Sequence, residues 1–305
     1  MRLRLLFLAP AFMVLTASCA ILGAAKGIEG AFAGESDPEL AAAALPALIK
    51  VEEGLLAADP RDQGTIVQTA SLYVMYGNAF VQGPAERLPA ERFEEKRVAD
   101  LRARNLYRRA FALLGPALER RSPALLRTFT SATPGEDGLV PGQSKLLAPF
   151  ARRDLPLLYW SAASILAAYS VDPLDLREAS MVGLAKALLE RALALDPAWD
   201  SGSLQELALS VYGSFPSYLG GDPAKAQAAY EKGSEINRGG SAPLLVTYAG
   251  TLCVARDDYP DFKRSLEAAL AIDPDKRPST RLATILAQDR ARRMLARAGD
   301  YFLLP

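Results

Sequence analysis

Leu and Ala recur at helical spacing across residues 39–58, and Leu45, Leu48, Leu55 and Leu56 fall on or near one face, as an amphipathic helix requires. Ser36-Asp37-Pro38 supplies its start: a capping side chain, then proline in the first turn. Pro46 predicts a bend, and Asp59-Pro60 predicts the end. Residues 91–109 mix both signs of charge with Phe93, Val98, Leu101, Leu106 and Tyr107, a second amphipathic helix with a solvated face. Residues 155–171 are apolar almost throughout and predict a buried helix. Pro134-Gly135, Gly138 and Pro141-Gly142 mark residues 130–144 as a loop. Strand-type alternation is essentially missing, so the pattern predicts an all-α fold.

One helix ending recurs. Gly54-Leu55-Leu56-Ala57-Ala58-Asp59-Pro60 is echoed by Leu193-Ala194-Leu195-Asp196-Pro197 and by Leu270-Ala271-Ile272-Asp273-Pro274, with a degenerate copy ending at Ile236-Asn237. Asp196, Asn237 and Asp273 stand 41 and 36 residues apart, close to the tetratricopeptide period of about 34 with insertions. With Pro274 at the last position of that motif, Gly250 falls on the small residue of the first helix and Ala269 on the close-packing alanine of the second. Small residues there let antiparallel helices approach, and proline cannot continue the second helix. The expected architecture is therefore stacked, tetratricopeptide-like helical hairpins, an α-solenoid.

The N-terminus has a different character. Met1-Arg2-Leu3-Arg4 is positive, an apolar stretch follows to Leu15, and Thr16-Ala17-Ser18 precedes Cys19. This is the order of a secretory signal, and the cysteine after small residues makes it resemble a bacterial lipoprotein signal. That resemblance implies cleavage before Cys19 and acylation of its thiol. The competing reading is an uncleaved anchor, since residues 5–25 carry no charge and about 20 residues span a bilayer. The predicted organisation is a signal peptide at 1–18, an acylated Cys19 with a tether at 19–37, and a helical domain at 38–305.

Composition narrows the chemistry. The 305 residues include no histidine, which removes Ser-His-Asp and Cys-His catalysis, histidine metal sites and histidine pH switches. Lys plus Arg and Asp plus Glu are both 35, so no basic surplus points to nucleic acid. Cys19 and Cys253 are the only cysteines; acylation of the first leaves Cys253 as a free thiol between Leu252 and Val254. Asp257, Asp258 and Asp261 lack the ligand offsets and turn glycine of a calcium loop. Gly220-Gly221-Asp222-Pro223 lacks phosphate-loop spacing and reads as one helix released and another begun. No cofactor or metal site is expected. Arg290, Arg293 and Arg297 share a helix face that suits phospholipid or an acidic partner, although cations near a helix C-terminus are favourable in any case. Tyr159, Trp160, Tyr212, Phe215, Tyr218 and Tyr248 fall on helices expected to line a repeat groove, and are the candidate ligand or partner contacts.

Leu157-Leu158-Tyr159-Trp160-Ser161-Ala162-Ala163-Ser164, Gly220-Gly221-Asp222-Pro223-Ala224-Lys225-Ala226 and Tyr73-Val74-Met75-Tyr76-Gly77-Asn78-Ala79-Phe80-Val81-Gln82 resemble segments of the TRAP-transporter-associated T-component lipoproteins. So do Val246-Thr247-Tyr248-Ala249, Asp261-Phe262, Leu270-Ala271-Ile272-Asp273-Pro274-Asp275 and Arg281-Leu282-Ala283. The resemblance runs from about Ile28 to Phe302. The chain departs from it at Gln205-Glu206-Leu207, where relatives often carry His-Glu-Phe, and at Ala249-Gly250-Thr251, where they often carry Ala-Glu-Ser.

The resemblance implies a non-catalytic, α-helical lipoprotein of the bacterial periplasm. It would be a homotrimer, anchored by lipid to the outer rather than the inner membrane. It would pair with the solute-binding P-component of a tripartite ATP-independent periplasmic transporter. A general tetratricopeptide scaffold in envelope assembly is the alternative, and a carboxylate-dependent hydrolase the third reading.

Overall fold

The computed structural model describes residues 30–132, 139–217 and 220–303. The signal segment, Cys19, most of the tether, the middle of the predicted loop and Tyr218 lie outside the described residues. Helix accounts for 81% of the structure and no strand occurs among the described residues, as the periodicity predicts.

Helix α1 spans Pro38–Ala58. Its cap is Asp37, whose carboxylate accepts the N–H groups of Glu39 at 2.9 Å and Leu40 at 3.2 Å, satisfying donors that a helix start leaves unpaired. Helix α2 spans Gln63–Tyr76 and continues through a π-helical turn, Gly77–Gln82. Helix α3 spans Phe93–Arg121. It runs a dozen residues beyond the stretch expected from charge patterning and passes through Pro116. The extension is held by burial, because Leu114, Ala117 and Leu118 beside that proline are almost fully enclosed. Two short helices follow, α4 at Leu125–Ser131 and α5 at Gln143–Leu147. They trim the expected 130–144 loop at both ends.

Helix α6 spans Leu155–Val171, the segment its apolar run marks out, and α7 spans Leu176–Leu195. Then come α8 at Trp199–Ser214, α9 at Pro223–Asn237 and α10 at Ala242–Tyr248 with a π-helical turn, Ala249–Cys253. Helices α11 at Tyr259–Leu270 and α12 at Arg281–Ala296 complete the chain. The recurrent endings all fall at helix termini, those of α1, α7, α9 and α11. Asp222 caps α9, as the Gly-Gly-Asp-Pro reading requires, accepting from the N–H groups of Ala224 and Lys225 at 3.0 Å.

Packing follows chain order. In the first half α1 lies on α2, α2 on α3, and α6 on both α3 and α7. In the second half α8 pairs with α9, while α10, α11 and α12 pack mutually and α10 also meets α8. One continuous core joins the halves, with Tyr107, Leu114, Phe150, Leu158, Leu188 and Phe262 fully buried. Each such side chain contributes about 1.5–3 kcal/mol relative to exposure.

Polar groups staple this frame. Buried Asp154 takes a two-pronged contact from Arg121, with Nη2 donating to Oδ1 at 2.7 Å and to Oδ2 at 2.9 Å. Gln288 of α12 donates to the carbonyls of Ala269 at 3.1 Å and Ile272 at 2.6 Å, closing the end of α11. At Gly77 a Cβ would come within 2.8 Å of the Tyr107 ring, so the π turn brings α2 unusually close to α3. Gly250 differs from expectation. A Cβ there would meet Met294 at 3.1 Å and no other atom within 4 Å. The π turn aims it at α12, while Ala269 is fully buried.

Candidate functional site

The aromatic positions do not converge on one groove. The Tyr159 ring meets Trp160 at 5.0 Å and Trp199 at 5.2 Å. Phe215 meets Tyr169 at 5.4 Å. Tyr212 lies under the Lys225 ammonium at 5.2 Å and donates its hydroxyl to Glu190 at 3.1 Å. Tyr248 stacks on Tyr230 at 3.8 Å and donates to Asp261 at 2.7 Å. Each described ring thus has a local partner. Burial, then the neighbouring acids, raise the phenols of Tyr212 and Tyr248 above their ordinary value, so they remain neutral donors. Burial likewise pushes the free Cys253 thiol up to about 12, which leaves it unreactive at neutral pH.

A polar cleft opens elsewhere, between the two halves of the molecule. Its larger lobe, about 250 Å³, is bounded by Asn78 of the π turn after α2, by Glu86 and Arg87 just beyond it, by Glu206 of α8, by Val246 and Thr247 of α10, and by Leu286, Arg290 and Arg293 of α12. A smaller lobe of about 110 Å³ shares Glu206, Pro243 and Ala283 with it and reaches Asp200, Ser201 and Arg277. The π turn at Gly77–Gln82 lies in its wall, and that at Ala249–Cys253 begins two residues past Thr247. Such widened turns recur at functional sites.

The smaller lobe carries backbone strain. Asp200, Ser201 and Gly202 have φ of 47°, 54° and 90°, three successive left-handed residues before regular helix resumes at Ser203. For the two non-glycine residues this costs roughly 1–2 kcal/mol each. Strain of this kind is retained where surrounding structure imposes it, often at binding sites.

Glu206 is the electrostatic centre. Its side chain is half-buried and lines both lobes. Burial pushes it up to about 7, against the opposing pull of Arg290 and a hydrogen bond with Thr247. Near neutrality the group is therefore poised between acid and carboxylate. Arg87 donates to Asp289 at 2.6 Å, and Arg293 also pairs with Asp289. Arg297 donates to the Arg87 carbonyl at 3.3 Å. The helix face of Arg290, Arg293 and Arg297 seen in the sequence is thus turned in part toward the cleft.

Sequence reasoning did not single out Glu206 as a site. The available signals were a lone charge in the largely apolar run Leu204-Gln205-Glu206-Leu207-Ala208 and the glutamate this segment shares with the His-Glu-Phe of relatives. Among the described residues no group of three or more Cys, Asp or Glu side chains could hold a metal ion. No described helix is long and apolar enough to cross a membrane.

These features define an all-helical protein with a polar surface cleft that brings a half-buried carboxyl near arginine side chains. Residues 34–302 match the family described as TRAP transporter T-component, and the chain belongs to that family. A protein of Treponema pallidum (strain Nichols), named only as uncharacterized, is 35% identical over 272 residues, covering 89% of this chain and 82% of its own length. Membership ties the chain to a transport system and to the cell envelope.

Proposed function

We propose that the protein is a non-catalytic accessory lipoprotein of a tripartite ATP-independent periplasmic transporter, acting in the periplasm as the docking partner of the solute-binding P-component. The family match over nearly the whole helical domain carries this reading. In it the N-terminal signal is removed, Cys19 is acylated, and the tether holds the domain to the outer membrane. The paired helices α8–α9 and α10–α11 are degenerate tetratricopeptide units. Their recurrent endings and the fully buried Ala269 support that assignment.

Self-association into a trimer fits the outer face of α3. Phe93 and Val98 there are each 62% exposed, and an apolar recess with Phe80, Val81 and Leu88 lies beside Val98. Exposed apolar clusters of this kind favour protein contacts. Affinity capture of the full chain from its own envelope, with the organism's TRAP solute-binding protein tagged, tests the proposal. Recovery of that protein with the chain is the expected outcome. Failure to recover it under conditions that preserve known transporter complexes would overturn the reading.

A further inference from the structure

Helix α1 stands at one end of the stack and turns outward a face that no described element covers. Leu40, Ala43, Ala47, Val51, Leu55 and Ala58 recur every three or four residues along it and are all exposed. Leu40 and Val51 are more than half exposed, at 56% and 58%. A Cβ at Gly54, in the same stripe, would meet nothing within 4 Å. The terminal helix of a repeat stack ordinarily turns a polar face to solvent, so an apolar one calls for a cover.

The chain just upstream fits it. The described residues begin at Gly30, already in a helical turn whose Gly34 N–H donates to the Gly30 carbonyl at 2.9 Å. A link of four residues, 34–37, leads from that turn into α1. Arg281 holds the link by donating to the Gly34 carbonyl at 2.8 Å. Helices joined by so short a link pack as antiparallel neighbours. Ile21, Ala25, Ile28 and Phe32 follow one another at i, i+4, i+7 and i+11, one helical face, and Gly23, Gly27 and Gly30 fall on the opposite one. The described turn already shows this division. Phe32 packs against the core, while a Cβ at Gly30 would meet nothing within 4 Å. The ending Asp59-Pro60 also marks α1 as the second helix of a repeat, whose first helix would precede it.

We propose that residues 20–33 form a helix docked antiparallel on the exposed stripe of α1. The short link sets the register: Phe32 opposite Leu40, Ile28 opposite Ala43, Ala25 opposite Ala47 and Ile21 opposite Val51. The alanines at the middle of both faces let the two helices approach closely. Three glycines lower the intrinsic helix propensity of the segment, so it is helical while docked and comes free when displaced. Docked, it rises about 21 Å along α1; released and extended, it reaches about 45 Å. With lipid on Cys19 it is a strap that sets how far the domain stands from the membrane. Only that consequence rests on the lipoprotein reading; the docking does not.

Amide hydrogen exchange of the full chain in detergent, read by mass spectrometry over residues 20–58, tests the proposal. Amides of residues 22–29 should exchange at least about tenfold more slowly than in an unstructured peptide. Val51→Asp, at an exposed position, should remove that protection and leave α2 unchanged. Gly27→Ala should raise it about fivefold through helix propensity. Exchange of residues 22–29 at unstructured rates in the wild type would overturn the inference, as would protection that survives both Val51→Asp and Ile28→Asp. Protection of residues 40–58 that grows with protein concentration, with 22–29 unprotected, would also overturn it and give the face to a second copy. The wild-type measurement decides the matter even if a variant misfolds. Palmitate on Cys19 with unprotected amides sinks this inference alone. Protected amides without palmitate sink the lipid anchor alone.

Discussion

Replacing Glu206 by Gln removes an ionisable group from the cleft while keeping its shape and its capacity to hydrogen-bond. In the unfolded chain the carboxyl ionises near 4.5, and in the native protein burial pushes it up to about 7. Between those values the native state holds a proton that the unfolded chain has released. Stability of the wild type must therefore fall as pH rises through that window. The slope is about 1.4 kcal/mol per pH unit, giving a total of about 3 kcal/mol by pH 8. Water entering through the cleft makes this an upper figure. The Gln variant has no such term. Urea unfolding at pH 5, 7 and 8.5 reads the difference directly. The variant should match the wild type near pH 5 and exceed it by about 2–3 kcal/mol at pH 8.5. A difference independent of pH would refute the buried-carboxyl reasoning, and so would a wild type that gains on the variant at high pH.

Asp154 behaves in the opposite sense. Burial opposes its charge, but hydrogen bonds from Arg121 and the Ala151 N–H outweigh this and hold it below the usual 3.8. The stabilisation is present above about pH 4 and lost on further acidification; Asp154→Ala should cost about 3–5 kcal/mol at pH 7 in urea unfolding. Ala269→Phe should overpack α11 and lower stability by about 1–3 kcal/mol, and an unchanged melting temperature would count against the close packing assigned there. Metabolic labelling with a palmitate analogue should mark the wild type and vanish in Cys19→Ala; persistent label would remove the lipid anchor from the account.

The elements with strong local signals were legible in the sequence. The apolar run at 155–171 is the helix α6, and Asp37 and Asp222 cap helices because their carboxylates meet free N–H groups. Helix α3 outran its expected end, since Pro116 reads as a breaker in isolation and only tertiary burial overrides it. The π turns left no sequence trace; they follow from the fit of Gly77 against Tyr107 and of Gly250 against Met294. Tyr159, Trp160, Tyr212 and Tyr248 lie on helices and Phe215 just past the end of α8, but each found a neighbouring ring or acid, which spacing alone cannot foresee. The cleft was the least legible feature. It gathers residues from the α2 extension, α8, α10 and α12, so its parts are spread over more than two hundred positions in the chain, from Asn78 to Arg293. The face of Arg290 and Arg293 was visible; the carboxyl it meets was not.

The central claim is that the chain is a docking component for a periplasmic solute-binding protein. Sedimentation velocity of the purified full chain, alone and mixed with a TRAP solute-binding protein from the same organism, tests this most directly. The account predicts a trimeric species alone, and a heavier complex containing both proteins on mixing. The complex should dissociate on dilution, as a reversible transport contact requires. A monomer whose boundary is unchanged by the solute-binding protein would contradict it.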